Sequence, residues 1–256
     1  MLRYTPPRYD GAVKSDWRLP DEAEQNALIA YICGDEEREY MAGQMFDAKV
    51  ARSWMARCRA SIAAERERLD DLDAAIGDAD HGTNLDRGFQ AVATKLATLE
   101  DLGPGQVLLL SGSILIATVG GASGPLWGTF LRRVGRGIGT DAESSALQLA
   151  DALDAGVAAI AEIGGVVEGD KTLLDAFLPA TRAFRLIAIT DDLASAAQCA
   201  YDGAIVGADA TAVLVGRKGR ASYLGDRGVG HADPGAMSAV LLFAALRDAV
   251  NNPSDD

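Results

Sequence analysis

The residues of this chain that are best suited to chemistry lie in the segment Asp78-Ala79-Asp80-His81-Gly82-Thr83-Asn84, with Asp73 five residues before it. Carboxylates that converge on one short loop supply the oxygen ligands that Mg²⁺ takes, usually together with water and phosphate. One small residue separates Asp78 from Asp80, and Asp73 can reach the same place from the last turn of a preceding helix. The alternative is that Asp78 caps the helix beginning near Gly82 and that Asp80 is merely solvated. Spacing alone leaves both interpretations open.

Glycine is concentrated in four further segments, which are 120–128, 164–169, 216–219 and 225–235. Glycine is required where the backbone turns tightly or lies close to a ligand. Small residues before a helix also leave N–H groups available to an anion. Ser, Asp, Lys or Arg lies in or beside each of these segments. We therefore predict a shared anion-binding rim, the alternative being that glycine only terminates helices.

Two of the glycine-rich segments carry positive charge. The first, 164–172, resembles a P-loop, but Asp170 separates the second glycine from Lys171 and no β-strand precedes it, so we reject that motif. Lys171 can still face a phosphate, and Asp170 is expected to cap the next helix. The second, 217–220, is the densest positive cluster of the chain, and an arginine there matches phosphate oxygens. Its alternative interpretation is a solvated basic turn.

The composition limits the classes of partner. The chain has 256 residues and a formal net charge of −13. Nucleic-acid binding requires a surplus of Lys and Arg on the docking face, so we expect no nucleic-acid partner. A nucleotide is compatible, because carboxylate-bound Mg²⁺ presents a cationic surface to phosphates. The three cysteines form no CxxC pair, and no apolar segment suits a signal peptide or a membrane span. We expect a cytoplasmic protein without membrane association.

Helical periodicity recurs along most of the sequence, but residues 1–43 differ from the rest. They contain three Pro and several acidic residues, and we predict a loose N-terminal extension that is partly helical. Residues 44–256 are predicted to form the main domain. Only 212–215 resembles a strand, and strands do not alternate with helices, so the domain is expected to be all-α. The eight predicted helices cover 44–69, 83–98, 104–118, 123–137, 141–163, 171–187, 190–206 and 235–251.

Five motifs together resemble a known family. They occur in the order IGDADHGTN, GGASGPLWGT, GDKTLLDAFLPA, GRKGRASYLGDR and GHADPGA. Over about 44–250 the chain resembles the nucleotide-binding L subunit of dihydroxyacetone kinases, which carries a DAK2-type domain. The resemblance implies a barrel of eight antiparallel helices with the nucleotide at one rim.

The resemblance also implies roles for individual residues. The residues that match the family's ligands for two Mg²⁺ ions are Asp73, Asp78 and Asp80. Those that match its phosphate-binding segments are His81, Gly82, Thr83, Asn84, Ala122 and Ser123. Those that match positions around the adenosine are Gly164, Leu173, Asp233, Pro234 and Gly235, with Arg220 close by. Arg220 can stabilise phosphate charge, and no acid–base catalyst is assigned to this chain.

By the same resemblance, the chain would hold ADP or ATP with Mg²⁺ and pass a phosphoryl group to dihydroxyacetone, or a related keto sugar, on a separate K subunit. In one version ADP is tightly held and recharged by a phosphoenolpyruvate-dependent phosphocarrier, the M subunit. In the other, ATP exchanges freely and is the donor. We also expect a homodimer. Two other classes stay open: a non-catalytic ligand-binding module and a self-sufficient metal-dependent phosphohydrolase.

Overall fold

The computed structural model describes residues 44–190 and 192–253, so the predicted N-terminal extension, 1–43, lies outside the described residues. Helices dominate the described part, which confirms the predicted all-α class. Two short strands, β1 (Phe46–Asp47) and β2 (Glu143–Ser144), pair in antiparallel fashion. The helices are α1 (Ala48–Ala64), α2 (Arg66–Ile76), α3 (His81–Leu96), α4 (Pro104–Thr118), α5 (Ser123–Ile138), α6 (Ala146–Gly164), α7 (Leu174–Ala188), α8 (Leu193–Ala210) and α9 (Pro234–Asn251).

Eight of these helices form a closed circuit of contacts. Each of α3 to α8 packs on the next helix along the chain, α9 packs on α1, and α1 packs on α3. The closure between α1 and α9 includes a buried hydrogen bond from Trp54 Nε1 to the carbonyl oxygen of Leu242, at 2.9 Å. Helix α2 lies outside the circuit and packs on α3 and α9. This order of contacts is the one that an eight-helix barrel requires.

Aromatic side chains from alternate helices of the circuit meet in the core. Trp127 of α5 makes edge-to-face contacts with Phe89 of α3 and Phe177 of α7, each at a centroid distance of 5.9 Å. Phe177 also contacts Phe130 at 4.6 Å and Phe243 of α9 at 5.5 Å. Each such pair contributes about 0.5–1.5 kcal/mol beyond area burial. One aromatic cluster therefore ties α3, α5, α7 and α9 together.

The first predicted helix, 44–69, differs from the observed structure at both ends. Phe46 lies in β1, and α1 begins only after Asp47, whose carboxylate caps it by accepting the Val50 N–H at 2.8 Å. The helix then breaks at Glu65, which has a non-helical ψ of 8°. The helical path resumes as α2 and continues to Ile76, beyond the predicted end. The break separates α2 from α1 and so sets where the last turn of α2 lies.

Two other sequence-based boundaries are wrong for local reasons. The helix predicted from 141 begins at Ala146, because Ser145 and Gln148 form a capping box and the preceding residues pair with β1. The predicted strand at 212–215 is instead a 3₁₀ turn over Thr211–Val213. Within the described residues, no helix is both long enough and apolar enough to cross a bilayer.

Glycines let α4 and α5 approach closely. A Cβ built on Gly112 would lie 2.4 Å from the carbonyl oxygen of Gly128, and a Cβ on Gly128 would lie 2.4 Å from the carbonyl oxygen of Gly112. Such distances are far below van der Waals contact, and each obstacle is backbone that cannot rotate away. The α4–α5 contact therefore depends on the absence of side chains at these two positions.

We predict that Gly112→Ala destabilises the protein by about 1–3 kcal/mol, because overpacking outweighs the better helix propensity of alanine. Thermal unfolding followed by circular dichroism should show the loss. Ser113→Ala is the matched control, since Ser113 is exposed on the same helix and, within the described residues, its hydroxyl donates only to Leu109 O. Equal melting temperatures for both variants and the wild type would contradict this account of the α4–α5 contact.

Candidate functional site

Three carboxylates converge where α2 leads into α3. Oxygens of Asp73, Asp78 and Asp80 all lie within 4.8 Å of one another. Asp73 comes from the last turn of α2 and is only 7% exposed, whereas Asp78 and Asp80 lie in the exposed loop. One buried carboxylate and two exposed ones fit a hard divalent cation, which keeps some of its ligand positions for water or phosphate. The donor set is therefore suited to Mg²⁺.

The capping alternative for Asp78 is wrong. Asp80, and not Asp78, precedes α3, and its side chain makes no capping hydrogen bond. Instead, the Asp80 N–H donates to Asp73 Oδ2 at 3.0 Å, which links the loop to the helix before it. Asp78 and Asp80 themselves remain exposed to solvent.

The backbone around the cluster is specialised. A Cβ built on Gly77 would lie 1.9 Å from Asp73 Oδ1, so a side chain at this position would displace the carboxylate from the cluster. Ala79, between the two exposed aspartates, has a left-handed φ of 64°. That conformation costs a non-glycine residue about 1–2 kcal/mol. Strained backbone held beside converging acids is typical of a functional loop.

The N-terminal turn of α3 is fixed by groups from three other helices. Asp70 of α2 accepts hydrogen bonds from the Thr83 N–H at 3.0 Å and from the Thr83 hydroxyl at 2.6 Å. His81 is buried, with Nδ1 3.2 Å from Ser123 Oγ and Nε2 2.9 Å from Ser238 Oγ. Burial lowers the pKa of His81, and the nearby acids oppose this only in part. His81 thus joins α3, α5 and α9 as a neutral ring.

A cleft of about 470 Å³ opens beside the acidic cluster, a size suited to a small-molecule ligand. Gly82, Thr83 and Asn84 lie within the first turn of α3, outside its lining. The other residues predicted from the sequence do line it, and they are Asp73, Asp78, Asp80, His81, Ala122, Ser123, Gly164, Leu173, Arg220, Asp233, Pro234 and Gly235. Five separate segments of the chain therefore meet at one cavity.

The apolar part of the lining was not predicted from the sequence. Its members are Ile76, Pro125, Leu126, Ile163 and Val166. Most occupy helices or helix ends, where an apolar residue has the same sequence signature as a core residue. These side chains let the cavity hold a flat, weakly polar group beside its charged end.

The ends of helices surround the cleft in a regular way. Residues at or just before the N-termini of α3, α5, α7 and α9 line it, and these are His81, Ser123, Leu173 and Pro234. The residues that follow α4 and the last residue of α6, Gly120 and Gly164, line it too. Helix N-termini present free N–H groups and positive dipole ends to an anion. Four of them converge here in a strongly acidic protein.

The positive side chains of the lining differ in their surroundings. Arg220 is 62% exposed, and its Nη2 lies 2.6 Å from Asp78 Oδ2. Lys218 also lines the cleft. Lys171, by contrast, is buried and directs its ammonium to backbone carbonyls rather than to the open cavity. The sequence-based expectation that Lys171 faces a phosphate is not supported by this geometry.

Asp170 does not cap α7, contrary to the sequence-based expectation. Its Oδ2 accepts the Val167 N–H at 2.9 Å and closes the loop on itself. Asp175, inside the first turn of α7, accepts the Gly169 N–H at 2.5 Å and the Thr172 N–H at 2.7 Å instead. The carboxylate of Asp175, one residue into the helix, therefore organises the loop. The sequence alone could not show whether Asp170 or Asp175 had this role.

Asp233 caps α9 from a buried position. Its Oδ2 accepts a hydrogen bond from the Ala236 N–H at 2.8 Å, and the residue as a whole is 9% exposed. Burial raises the pKa of Asp233 to about 7, although the Ala236 N–H and the charge of Lys171 oppose the shift. The N-terminus of α9 thus contains a carboxyl that titrates near neutral pH.

Comparison with known proteins gives consistent matches. The DAK2 domain family matches residues 75–248. The ADP-binding subunit DhaL of the PEP-dependent dihydroxyacetone kinase of Escherichia coli (strain K12) is 37% identical over 195 residues, which cover 76% of this chain and 93% of that protein. The ADP-binding subunit DhaL of PEP-dependent dihydroxyacetone kinase 2 of Listeria innocua is 40% identical over 189 residues, covering 73% and 88%.

A solved structure shows the same fold. The crystal structure of the dihydroxyacetone kinase from C. freundii in complex with AMP-PNP and Mg²⁺ aligns with a TM-score of 0.61 and 26% sequence identity. The alignment covers 84% of this chain and 36% of that chain. The chain therefore spans little more than a third of that kinase, whereas it spans nearly the whole of the two relatives.

We predict that Asp233→Asn flattens the pH dependence of stability. Between the ordinary carboxyl pKa of 3.8 and the folded value of about 7, the folded wild type holds a proton that the unfolded chain has released. Stability due to Asp233 therefore falls as pH rises through this window. Asparagine also caps helices well, so the cap is retained. The wild-type melting temperature should fall more than that of the variant from pH 4 to 7, by on the order of 3–10 °C.

Asp71→Asn is the control for this experiment, because Asp71 is an exposed carboxylate of α2. Its melting curves should follow the wild type at every pH. Parallel pH profiles for Asp233→Asn and the wild type would show that Asp233 does not titrate differently in the folded state.

Proposed function

This chain belongs to the DAK2 domain family, as the sequence motifs predicted, and we propose that it is the nucleotide-binding subunit of a kinase for dihydroxyacetone or a related keto sugar. In this role it binds an adenine nucleotide with Mg²⁺ in the cleft. It passes the terminal phosphoryl group to a sugar hydroxyl that a separate K subunit presents.

The observation that carries this proposal is the convergence of Asp73, Asp78 and Asp80 at the edge of the cleft, with oxygens within 4.8 Å of one another. These three carboxylates would hold two Mg²⁺ ions, with Asp73 as the buried anchor. When bound, Mg²⁺ would supply positive charge that neutralises the negative charge developing on the phosphoryl group during transfer. Without such cations, the acidic cluster would repel a polyphosphate.

The chain's own groups bind and orient the nucleotide. The N-termini of α3 and α5, at His81 and Ser123, offer N–H groups to the phosphates. The apolar lining beside Leu173 and the start of α9 at Asp233-Pro234-Gly235 receive the adenosine. Arg220 stabilises phosphate charge. Phosphoryl transfer needs mostly positioning and charge neutralisation, so this chain requires no general base of its own.

The sugar and the base for its hydroxyl are assigned to the K subunit. We favour ADP that stays bound and is recharged by a phosphoenolpyruvate-dependent phosphocarrier, because both full-length relatives are named as ADP-binding subunits of PEP-dependent kinases. The alternative is an exchanging ATP donor. A homodimer and a cytoplasmic location complete the proposal. Bound nucleotide without transfer to any K subunit would favour the non-catalytic module instead.

We predict that the purified chain binds ADP only with Mg²⁺ and that Asp73→Asn and Asp80→Asn each weaken binding at least about tenfold, because even indirect supports of a metal site contribute 10–100-fold. Isothermal titration calorimetry with MgCl₂ and ADP measures this. Asp71→Asn removes one negative charge from the same helix outside the cluster and should bind as the wild type does.

Transfer is tested with dihydroxyacetone and the K subunit of a related kinase. Nucleotide that co-purifies and resists exchange with labelled ATP supports the phosphocarrier version, whereas rapid exchange with turnover on ATP alone supports the other donor. Absence of heat with Mg²⁺ and ADP in wild-type protein freed of co-purified nucleotide would refute the proposed function. Steady ATP hydrolysis without sugar or partner would point to a phosphohydrolase.

We predict opposite effects of Arg220→Ala on the two ligands. Since Arg220 pairs with Asp78 at 2.6 Å, it competes with a cation for that carboxylate. Exposed ion pairs contribute up to about 1 kcal/mol, so Mg²⁺ affinity without nucleotide should rise roughly two- to fivefold. ADP affinity in saturating Mg²⁺ should fall about tenfold, because a charge-assisted phosphate contact is lost.

Lys218→Ala is the matched control for Arg220→Ala. Lys218 lines the same cleft but makes no ion pair with any residue of the described part of the chain. An equal gain in Mg²⁺ affinity in both variants would mean that only overall charge matters and that Arg220 does not compete for Asp78.

A further inference from the structure

Lys171 occupies an unusual position for a lysine. It lies in the loop between α6 and α7, its side chain is among the largest fully buried ones, and it is 1% exposed. Its backbone has a left-handed φ of 61°, which side-chain-bearing residues rarely adopt. Burial lowers the pKa of Lys171, while Asp233 and Asp175 favour its charged form. Such backbone strain persists only where the surrounding structure holds the residue in place, and a buried charge must be paired or hydrogen-bonded.

The head group of Lys171 joins two distant segments. Its Nζ donates to the carbonyl oxygen of Thr211 at 2.7 Å and to that of His231 at 2.5 Å. These carbonyls belong to the turn after α8 and to the loop before α9. An ammonium has three donors, and two are committed to the backbone. Lys171 is therefore oriented towards the protein, which distinguishes it from the exposed Arg220.

The contact continues from Thr211 to the start of α9. The Asp233 N–H donates to Thr211 Oγ1 at 2.8 Å, and the same hydroxyl donates to Ala208 O at 2.6 Å. Asp233 then caps α9 through the Ala236 N–H. Buried hydrogen bonds thus run from Lys171 through Thr211 to Asp233. The residue that follows, Pro234, lines the cleft.

We propose that Lys171 and Thr211 are positioning residues that hold the Asp233-Pro234-Gly235 turn in place for the nucleotide. Neither side chain contacts the ligand in this role; they act through the N-terminus of α9. The inference rests on the proposed function, because it assigns a purpose to the nucleotide side of the same cleft. It can be tested separately from the metal side, since Lys171 and Thr211 make no hydrogen bond to Asp73, Asp78 or Asp80 in the described part of the chain.

The residues on either side of Lys171 explain why this series of hydrogen bonds starts there. The Asp170 carbonyl accepts the Arg217 N–H at 3.0 Å, which connects the loop to the basic segment 217–220. The Asp175 carboxylate also holds the loop, because it accepts hydrogen bonds from the Gly169 and Thr172 N–H groups. The loop between α6 and α7 is thus fixed on one side and bonded to three rim segments on the other. Movement of the Lys171 head group would release two of those three.

The first test replaces Lys171 with methionine, which keeps the length of the side chain and removes its donors. ADP affinity in saturating Mg²⁺ should fall at least about tenfold, the effect of 1.4 kcal/mol on binding. Mg²⁺ affinity measured without nucleotide should stay within about twofold of the wild type, a change below 0.5 kcal/mol. A general loss of stability would not separate the two ligands in this way.

Val92→Ala is the control for destabilisation. Val92 is fully buried in α3, 11 residues beyond His81, which places it about 16 Å along the helix from the cleft. It should lower the melting temperature and leave ADP affinity unchanged. Wild-type ADP affinity in Lys171→Met would overturn the proposal, as would equal losses of ADP and Mg²⁺ affinity in a variant that remains folded.

A second pair of variants tests the same route if Lys171→Met does not fold. Thr211→Val keeps the volume and the carbonyl that Lys171 uses, but it removes the acceptor of the Asp233 N–H. Thr211→Ser keeps that hydroxyl. We expect Thr211→Val to bind ADP more weakly than the wild type. We expect Thr211→Ser to bind ADP as the wild type does. Equal ADP affinity in the two variants would refute positioning through Thr211, whereas absence of ADP binding in the wild type would refute the proposed function itself.

Discussion

The mutual repulsion of three carboxylates is the constraint on which the site depends. Two unit charges about 4 Å apart interact with roughly 1 kcal/mol in water and about 4 kcal/mol near a protein surface. The chain nevertheless holds Asp73, Asp78 and Asp80 together, through the Asp80 N–H and the passage of Gly77 beside Asp73. Folding thus maintains an arrangement that a divalent cation relieves. Arg220 offsets one of the charges from across the cleft.

The circuit of helices explains how an acidic protein can still attract an anion. Alternation along the circuit brings the N-termini of α3, α5, α7 and α9 to one cleft. The same four helices are joined in the interior by the aromatic cluster around Phe177. Core packing therefore sets the convergence of the helix dipoles. The glycine-rich segments follow from this geometry, because each connects two helices at a crowded rim.

The sequence predicted the parts of the site that are encoded locally. Asp78 and Asp80 lie two positions apart in the loop, and Asp73 lies one helical turn before it, so spacing made their convergence one of two open interpretations. The all-α class follows from periodicity. The residues expected to bind the nucleotide were identified from the family resemblance. The structure shows that most of them line one cleft.

What the sequence could not predict depends on contacts between distant segments. The break at Glu65 has no glycine or proline to mark it, and β1 pairs with residues almost a hundred positions later. The orientation of Lys171 is set by the carbonyls of Thr211 and His231, and backbone carbonyls leave no signal in the residue types. Rigid, buried ties of this kind reduce the ordering that binding itself must supply. In the proposed function, such a rim would help to keep the nucleotide bound, which is the property that a recharged ADP requires.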